Sequence, residues 1–114
     1  MRYTAEKGIE SIAGGPLRFV SSGAAPLDPM WKRKAEAFYG IALQNGYGMT
    51  ETSAGVCTTK SEMGDPDISV GPPLKGVEIR IDEGAEGGGN GIGEVLTRGP
   101  HIMLGYFRNP QETA

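Results

Sequence analysis

The short run from Asn45 to Glu51 carries an amide, an aromatic ring, a hydroxyl and a carboxylate close together in the chain. The ring of Tyr47 is flanked on both sides by glycine, which has no Cβ, so the ring can lie flat against a purine. Thr50 offers a hydroxyl to a phosphate oxygen, and the Glu51 carboxylate suits Mg²⁺, a hard cation that neutralises phosphate charge. Asn45 can both donate and accept hydrogen bonds, as the edge of adenine requires. These residue types predict a nucleotide-binding turn.

A loop of small residues earlier in the chain, Gly23-Ala24-Ala25-Pro26, would let its backbone approach the other face of the base. The alternative is an ordinary strand-to-loop turn that places a tyrosine and a glutamate on the surface. A single motif does not decide between these two interpretations.

Other groups with chemical potential fit less well. The glycine-rich stretch 84–93 has neither the G-K-[ST] ending of a P-loop nor a G-x-G-x-x-G register, so we predict a flexible hairpin connection there. A serine nucleophile would need a base beside it, and the single histidine, His101, falls in a predicted β segment. One cysteine, Cys57, allows neither an internal disulfide nor a Cys/His zinc cluster.

A strand–helix–strand pattern positions the candidate turn. Leu17–Ser22 predicts a short strand, and Ile41–Gln44 predicts a second one that breaks at Asn45-Gly46. This spacing is typical of a βαβ unit, so we expect the strands to be parallel, whether or not they are neighbours. The carboxyl ends of parallel strands meet at one edge of a sheet, where α/β folds bind ligands.

The helix between these strands has clear end signals. Asp28 is a good N-cap, Pro29 suits the first helical position, and Gly40 can end the helix in a left-handed turn. We expect an apolar stripe to pack on the sheet and a charged face to point to water. The two sets are Trp31, Ala35 and Phe38, and Lys32, Arg33 and Glu36, respectively.

The second half of the chain predicts β structure. Val77–Asp82 alternates apolar and charged residues, and Glu94–Arg98 predicts the returning strand of a hairpin. His101–Leu104 is a candidate for one more strand, and residues 1–15 predict a loose turn or short helix. The fold class is therefore α/β followed by β, with an antiparallel, barrel-like C-terminal part.

Composition sets further bounds. Only 22 of the 114 residues are Leu, Ile, Val or Phe, against 19 Gly and 8 Pro, so the core would be small. The 11 Lys and Arg against 14 Asp and Glu leave no basic surface for nucleic acid. No apolar run approaches the roughly 18 residues of a membrane span, and no signal peptide is evident, so we expect a cytoplasmic protein.

Several stretches together resemble one family. They are Ser22–Leu27, Asn45–Thr52, Ser69–Pro73, Gly93–Pro100 and Met103–Tyr106. In this order they resemble the adenylate-forming (AMP-binding) superfamily, which includes acyl-CoA synthetases, luciferases and the adenylation domains of peptide synthetases. The Ala-Ala-Pro-Leu and Tyr-Gly-Met-Thr-Glu stretches are most similar to those of acyl-CoA or aryl-CoA ligases.

The resemblance implies a two-step reaction on a small carboxylic acid, with ATP/AMP, magnesium and CoA as cofactor or co-substrate. It implies that adenine lies between Gly23–Pro26 and Tyr47, and that Asn45 forms a hydrogen bond with the amino group of adenine. It also implies that Thr50 binds the α-phosphate and that Glu51 binds the magnesium ion. Gly46 and the residues after Thr52 would border the acyl pocket. The implied nucleotide-binding residues are Gly23, Ala24, Ala25, Pro26, Asn45, Gly46, Tyr47, Gly48 and Met49, with Thr50 and Glu51 as catalytic residues.

Departures from the family pattern qualify this expectation. Family members are several times longer, and the chain lacks their phosphate-binding loop with its lysine and their mobile C-terminal domain. We therefore expect an internal segment, with residues 1–55 ending an α/β subdomain and 56–114 beginning a barrel-like one, inactive alone. Exposed sheet edges predict a homo-oligomer. The alternative is a non-catalytic nucleotide-binding or self-associating structural module.

Overall fold

The computed structural model describes residues 6–113, so the predictions for residues 1–5 and for Ala114 lie outside the described residues. The chain divides into two compact units. Unit 1 contains the described residues up to Gly46 together with Thr58–Gly71, and unit 2 contains Tyr47–Cys57 together with the residues from Pro72 onward. The predicted subdomain boundary after residue 55 concerns the complete family fold and stays a prediction.

The predicted parallel strand pair is confirmed, and the two strands are neighbours. Strand β1 spans Val20–Ser22 and β2 spans Leu43–Tyr47, with Val20 paired to Leu43 and Ser22 to Asn45. With β3, Cys57–Thr58, they form a sheet of order β1-β2-β3 within the described chain.

The predicted ends of these strands were partly wrong. β1 begins at Val20 and not at Leu17, and β2 lies later than Ile41–Gln44. Asn45 and Gly46 are therefore strand residues and do not break the strand. The reason is a partner distant in sequence, because the Asn45 N–H donates to Thr59 Oγ1 at 2.8 Å and the Asn45 carbonyl accepts from the Thr59 N–H at 2.8 Å.

Helix α1 spans Pro29–Tyr39 and ends as its sequence predicts. The Asp28 carboxylate accepts hydrogen bonds from the N–H groups of Met30 and Trp31, at 2.7 and 3.1 Å. Gly40 adopts φ 71° and donates its N–H to the Glu36 carbonyl at 2.7 Å. Both caps are set by local chemistry, which explains why the sequence predicts them correctly.

The predicted buried face of α1 was partly wrong. Phe38 is buried as predicted, but Trp31 is 54% exposed. Lys32 and Glu36, which were expected to point to water, are buried. The segment Thr58–Gly71 supplies polar partners to this face: Lys32 Nζ donates to the Asp67 carbonyl at 2.7 Å, and Glu36 Oε2 accepts from the Gly64 N–H at 3.2 Å. Buried charges are tolerated when they are hydrogen-bonded in this way.

Unit 2 contains the predicted antiparallel hairpin. Strand β4, Glu78–Asp82, pairs with β5, Glu94–Arg98, from Glu78 opposite Arg98 to Asp82 opposite Glu94. The glycine-rich stretch connects the two strands, as predicted, and Gly89 and Ile92 form a bridge within it.

The additional strand predicted at His101–Leu104 was wrong. The Ile102 N–H donates to the Gly99 carbonyl and closes a turn, and the Met103 N–H donates to the Glu51 carbonyl. A short helix, α2, follows at Pro110–Thr113.

The buried apolar side chains of the described residues are few. Phe38 and Leu43 lie in unit 1, and Val56 and Cys57 lie in unit 2. The small core predicted from composition is therefore present in each unit. Within residues 6–113 we find no helical segment that combines the length and the hydrophobicity of a membrane span.

Candidate functional site

The small-residue loop Gly23–Pro26 follows β1 in unit 1 and is exposed throughout. A Cβ on Gly23 would lie 3.3 Å from the Gly46 carbonyl, so this loop runs close against the backbone of β2. Ala24 adopts φ 67°, a left-handed conformation that costs free energy for a residue with a Cβ. Such strained backbone clusters at binding sites, and the exposed backbone fits the predicted approach to a flat ligand.

Asn45 is 3% exposed, and its amide is oriented by the chain itself. Its Nδ2 donates to the carbonyls of Ser69 at 2.9 Å and Ile68 at 3.3 Å. Its Oδ1 is buried and has no hydrogen-bond partner within the described chain. The amide is thus fixed to present an acceptor, which suits an amino group such as that of adenine.

In unit 2, the turn that follows β2 is folded tightly on itself. The Tyr47 carbonyl accepts from the Val56 N–H at 2.8 Å, and Tyr47 is half-buried. A Cβ on Gly48 would lie 1.8 Å from the Ala54 carbonyl oxygen. Only glycine fits at this position, so Gly48 is required for the turn to close.

Thr52 holds the turn closed from inside. It is fully buried, its Oγ1 donates to the Met49 carbonyl at 2.9 Å, and the same oxygen accepts from the Met49 N–H at 3.0 Å. Ser53 and Ala54 then adopt φ 49° and 83°. The sequence reasoning assigned no role to Thr52, because its two hydrogen bonds become visible only once the turn is folded.

Thr50 and Glu51 occupy the 3₁₀ turn Thr50–Thr52 in this loop. Thr50 is exposed at the surface of unit 2. Glu51 is half-buried, and its Oε1 accepts a hydrogen bond from the Tyr106 hydroxyl. This bond, together with a backbone hydrogen bond, holds the pKa of Glu51 below its ordinary value, so the carboxylate is ionised at neutral pH.

The turn fits a magnesium ion that is held mainly by phosphate and water. The described residues contain no cluster of three or more His, Cys, Asp or Glu side chains able to hold a metal ion by themselves. Mg²⁺ typically takes one or two protein carboxylates and completes its shell with substrate phosphates and water. Glu51 would supply one ionised carboxylate, whose Oε1 accepts from the Tyr106 hydroxyl.

Nucleophilic chemistry is not favoured by the remaining reactive groups. Burial raises the pKa of the Cys57 thiol, which disfavours the thiolate at neutral pH. His101 Nε2 lies 2.9 Å from Thr97 Oγ1, in a turn near β5, as expected for a structural histidine.

The structure thus brings the predicted residues together in two groups. In unit 1, the Gly23–Pro26 loop lies against Gly46, directly after the buried Asn45. In unit 2, Tyr47 and Glu51 belong to one closed turn. The predicted adenine sandwich stays a prediction. Sequence reasoning missed Tyr106, although Met103–Tyr106 was among the stretches that carry the resemblance.

Comparison with known proteins gives one family. The family model described as AMP-binding enzyme matches residues 2–107. The chain is 37% identical to Long chain acyl-CoA synthetase 8 of Arabidopsis thaliana over 94% of its length, and 34% identical to Long-chain-fatty-acid–CoA ligase 1 of Homo sapiens over 93%. It spans about 16% of the length of each of these two relatives.

Solved structures agree with this result. A long-chain-fatty-acid-CoA ligase from Archaeoglobus fulgidus matches 97% of this chain with a TM-score of 0.74 and 25% identity, over 24% of its own length. The apo form of MatB from Rhodopseudomonas palustris matches 84% of this chain with a TM-score of 0.63 and 33% identity, over 20% of its own length.

Proposed function

The chain belongs to the AMP-binding enzyme family, and from this premise we propose that it is a segment of an ATP-dependent acyl-CoA synthetase. The names of the curated relatives support this class of enzyme and favour a fatty acid as the carboxylic acid substrate. Because the chain spans about 16% of those relatives, we propose that it is inactive alone and contributes part of the nucleotide site.

The proposed reaction has two steps. An oxygen of the substrate carboxylate attacks the α-phosphorus of ATP, pyrophosphate leaves, and an acyl-AMP forms. The sulfur of CoA then attacks the acyl carbon, AMP leaves, and the acyl-CoA thioester forms. Catalysis by positioning and charge stabilisation requires no nucleophile from this chain.

Unit 1 would contribute to recognition of the base. The exposed Gly23–Pro26 backbone supports an approach to one face of adenine, and the buried Oδ1 of Asn45 supports an acceptor for its amino group. Because both Nδ2 bonds already go to carbonyls of the chain, Asn45 would read the base only as an acceptor.

Unit 2 would contribute to the phosphate chemistry, and one observation carries the proposal. The exposed residue Thr50 and the ionised carboxylate of Glu51 are neighbours on a turn that the hydrogen bonds of Thr52 close. We propose that Thr50 donates to an α-phosphate oxygen, that Glu51 binds magnesium, and that Tyr47 stacks on adenine. Bound magnesium would supply neutralisation of the phosphate charge.

Calorimetric titration with AMP and magnesium tests the role of the ring. Binding is expected to be weak in the wild-type chain, lost in Tyr47→Ala, and retained in Tyr47→Phe, which keeps a stacking surface. Unchanged binding in Tyr47→Ala would contradict the proposed role of the ring. Robust release of pyrophosphate by the isolated chain, from ATP and carboxylic acids, would contradict its inactivity.

A non-catalytic, self-associating module is the second candidate, and exposed apolar side chains favour it. Within unit 2, Leu104 is fully exposed and Phe107 is 88% exposed, and β4 and β5 form a sheet with two strands only among the described residues. Such surfaces promote association. Light scattering at micromolar concentration is expected to show oligomers, and a purely monomeric, compact chain would exclude this candidate.

We also propose a cytoplasmic location for the protein.

A further inference from the structure

The segment Met103–Tyr106 contacts the Glu51 turn at two points of unit 2, one of them the Tyr106 side chain. The Tyr106 hydroxyl donates to Glu51 Oε1, and three residues earlier the Met103 N–H donates to the Glu51 carbonyl at 2.9 Å. The segment Met103–Tyr106 is therefore fastened to both the side chain and the backbone of one residue. The pairing spans 55 positions in the chain, so it is a feature of the fold and not of the local turn.

The position of Tyr106 is itself fixed by the residues that follow it. The Tyr106 N–H donates to Thr113 Oγ1 at 3.0 Å, and the Thr113 hydroxyl donates to the Asn109 carbonyl at 2.7 Å. Gly105 adopts φ 147°, and a Cβ there would lie 2.3 Å from Thr113 Cγ2. Because position 105 carries no side chain, Thr113 of α2 can pack against the backbone there and accept the hydrogen bond from the Tyr106 N–H.

The hydrogen bond from Tyr106 makes the two carboxylate oxygens of Glu51 different from each other. Oε1 is held by the Tyr106 hydroxyl, and Oε2 takes no part in this bond. A carboxylate that is held by one oxygen has fewer rotamers, and its other oxygen is presented in a fixed direction. Groups that orient a metal ligand in this way affect metal affinity without touching the metal.

We propose that Tyr106 is a positioning residue for Glu51, whose hydroxyl holds Oε1 so that Oε2 is presented to the magnesium ion of the bound nucleotide. The inference rests on the proposed function of Glu51 and adds a residue that acts through it. It also explains why Met103–Tyr106 lies beside the turn, since that segment supplies both attachments to Glu51.

The test measures binding in the full-length protein that carries this chain. Calorimetry gives the dissociation constant of ATP once with excess Mg²⁺ and once with EDTA. The constant in EDTA divided by the constant in Mg²⁺ is the gain in ATP affinity due to the metal. Tyr106→Phe is expected to reduce this gain by about tenfold, the lower end of the range for residues that orient metal ligands, because the site is open to solvent. ATP affinity in EDTA is expected to stay unchanged.

Two further variants separate positioning from a structural role. Tyr39→Phe, which removes a tyrosine hydroxyl in unit 1, is expected to leave the gain and the melting temperature unchanged. In a Glu51→Gln background, Tyr106→Phe is expected to add no further loss, because the positioned carboxylate is already absent. An equal further loss in that background would overturn the proposal in favour of a structural role.

The outcomes also separate this inference from the proposed function. If Glu51→Gln retains the full gain due to Mg²⁺, the metal role of Glu51 is wrong. If Glu51→Gln loses the gain while Tyr106→Phe keeps it, only the role of Tyr106 is wrong.

Discussion

Glu36 Oε1 accepts a hydrogen bond of 3.0 Å from the backbone N–H of Leu43, so the last turn of α1 binds the first residue of β2 directly. The second oxygen of the same carboxylate accepts from the Gly64 N–H at 3.2 Å. One buried side chain thus ties the helix, the strand and the segment Thr58–Gly71 within unit 1. This carboxylate is part of the framework that holds β2, and with it Asn45.

Removal of the Glu36 carboxylate is expected to destabilise the fold. Glu36→Ala leaves two backbone N–H groups without partners, and we expect the free energy of unfolding to fall by about 2–3 kcal/mol. Glu36→Gln, which keeps one acceptor oxygen, is expected to lose less. Urea denaturation followed by circular dichroism measures both, with the exposed Glu62→Ala as control. A loss no larger in Glu36→Ala than in Glu62→Ala would contradict this role.

Gly48→Ala is expected to open the candidate turn. The added Cβ would stand 1.8 Å from the Ala54 carbonyl oxygen, which is backbone and cannot rotate away. We expect the free energy of unfolding to fall by about 3 kcal/mol. In Gly84→Ala the nearest atom is a side-chain oxygen of Asp82 at 3.3 Å, so this control is expected to change little. Equal stabilities of the two variants in thermal denaturation would show that the turn adapts.

Asn45→Asp is expected to weaken the attachment of the segment Thr58–Gly71. The substitution replaces two donated hydrogen bonds, to Ile68 and Ser69, with a carboxylate that faces two carbonyl oxygens. A loss of about 2 kcal/mol in the free energy of unfolding is expected at neutral pH. Asn90→Asp, on the exposed connection between β4 and β5, provides the control for the added charge. Wild-type stability in Asn45→Asp would disprove the assigned orientation of the amide.

The stability of unit 1 is expected to depend on pH through the carboxyl group of Asp67. The backbone N–H of Ser69, at 2.8 Å, and its hydroxyl, at 3.1 Å, hold the pKa of Asp67 below its ordinary value of 3.8. A carboxyl whose pKa is lower in the folded state stabilises the fold above its ordinary pKa, and this stabilisation is lost as pH falls through the folded-state pKa.

Ser69→Ala removes the hydroxyl bond to Asp67 and the bond of 3.1 Å that the Gly71 N–H donates to Ser69 Oγ. It keeps the backbone N–H bond to Asp67, so the pKa of Asp67 is expected to rise part of the way toward 3.8. NMR titration of the Asp67 side-chain carboxyl measures this change. Ser53→Ala, on a different turn, is the matched control and is expected to leave the titration unchanged. A pKa of Asp67 that is the same in wild type and Ser69→Ala would contradict the contribution of the hydroxyl.

Features with a local cause were predicted correctly from the sequence. The caps of α1 at Asp28 and Gly40 depend on residues within a few positions, and the β4–β5 hairpin follows from two short alternating strands joined by a glycine-rich stretch. Family membership was also accessible, because several short stretches in a fixed order are far more specific than any one of them.

Features with a distant cause were not predicted. Hydrophobic patterning places Lys32 and Glu36 in water, yet both are buried because Asp67 and Gly64 supply polar partners from another part of the chain. Hydrophobic patterning predicts that a charged residue is exposed. It contains no information about a hydrogen-bonding partner that only the folded chain brings close.

Local sequence patterns are enough to predict the residue types of the candidate site, the caps of its helix, the hairpin and the family. They do not predict that Asn45 lies buried within a strand as an acceptor, or that Glu51 is held by a tyrosine 55 positions away. Local propensity acts over a few residues, whereas the hydrogen bonds that orient these two side chains form only when the chain has folded.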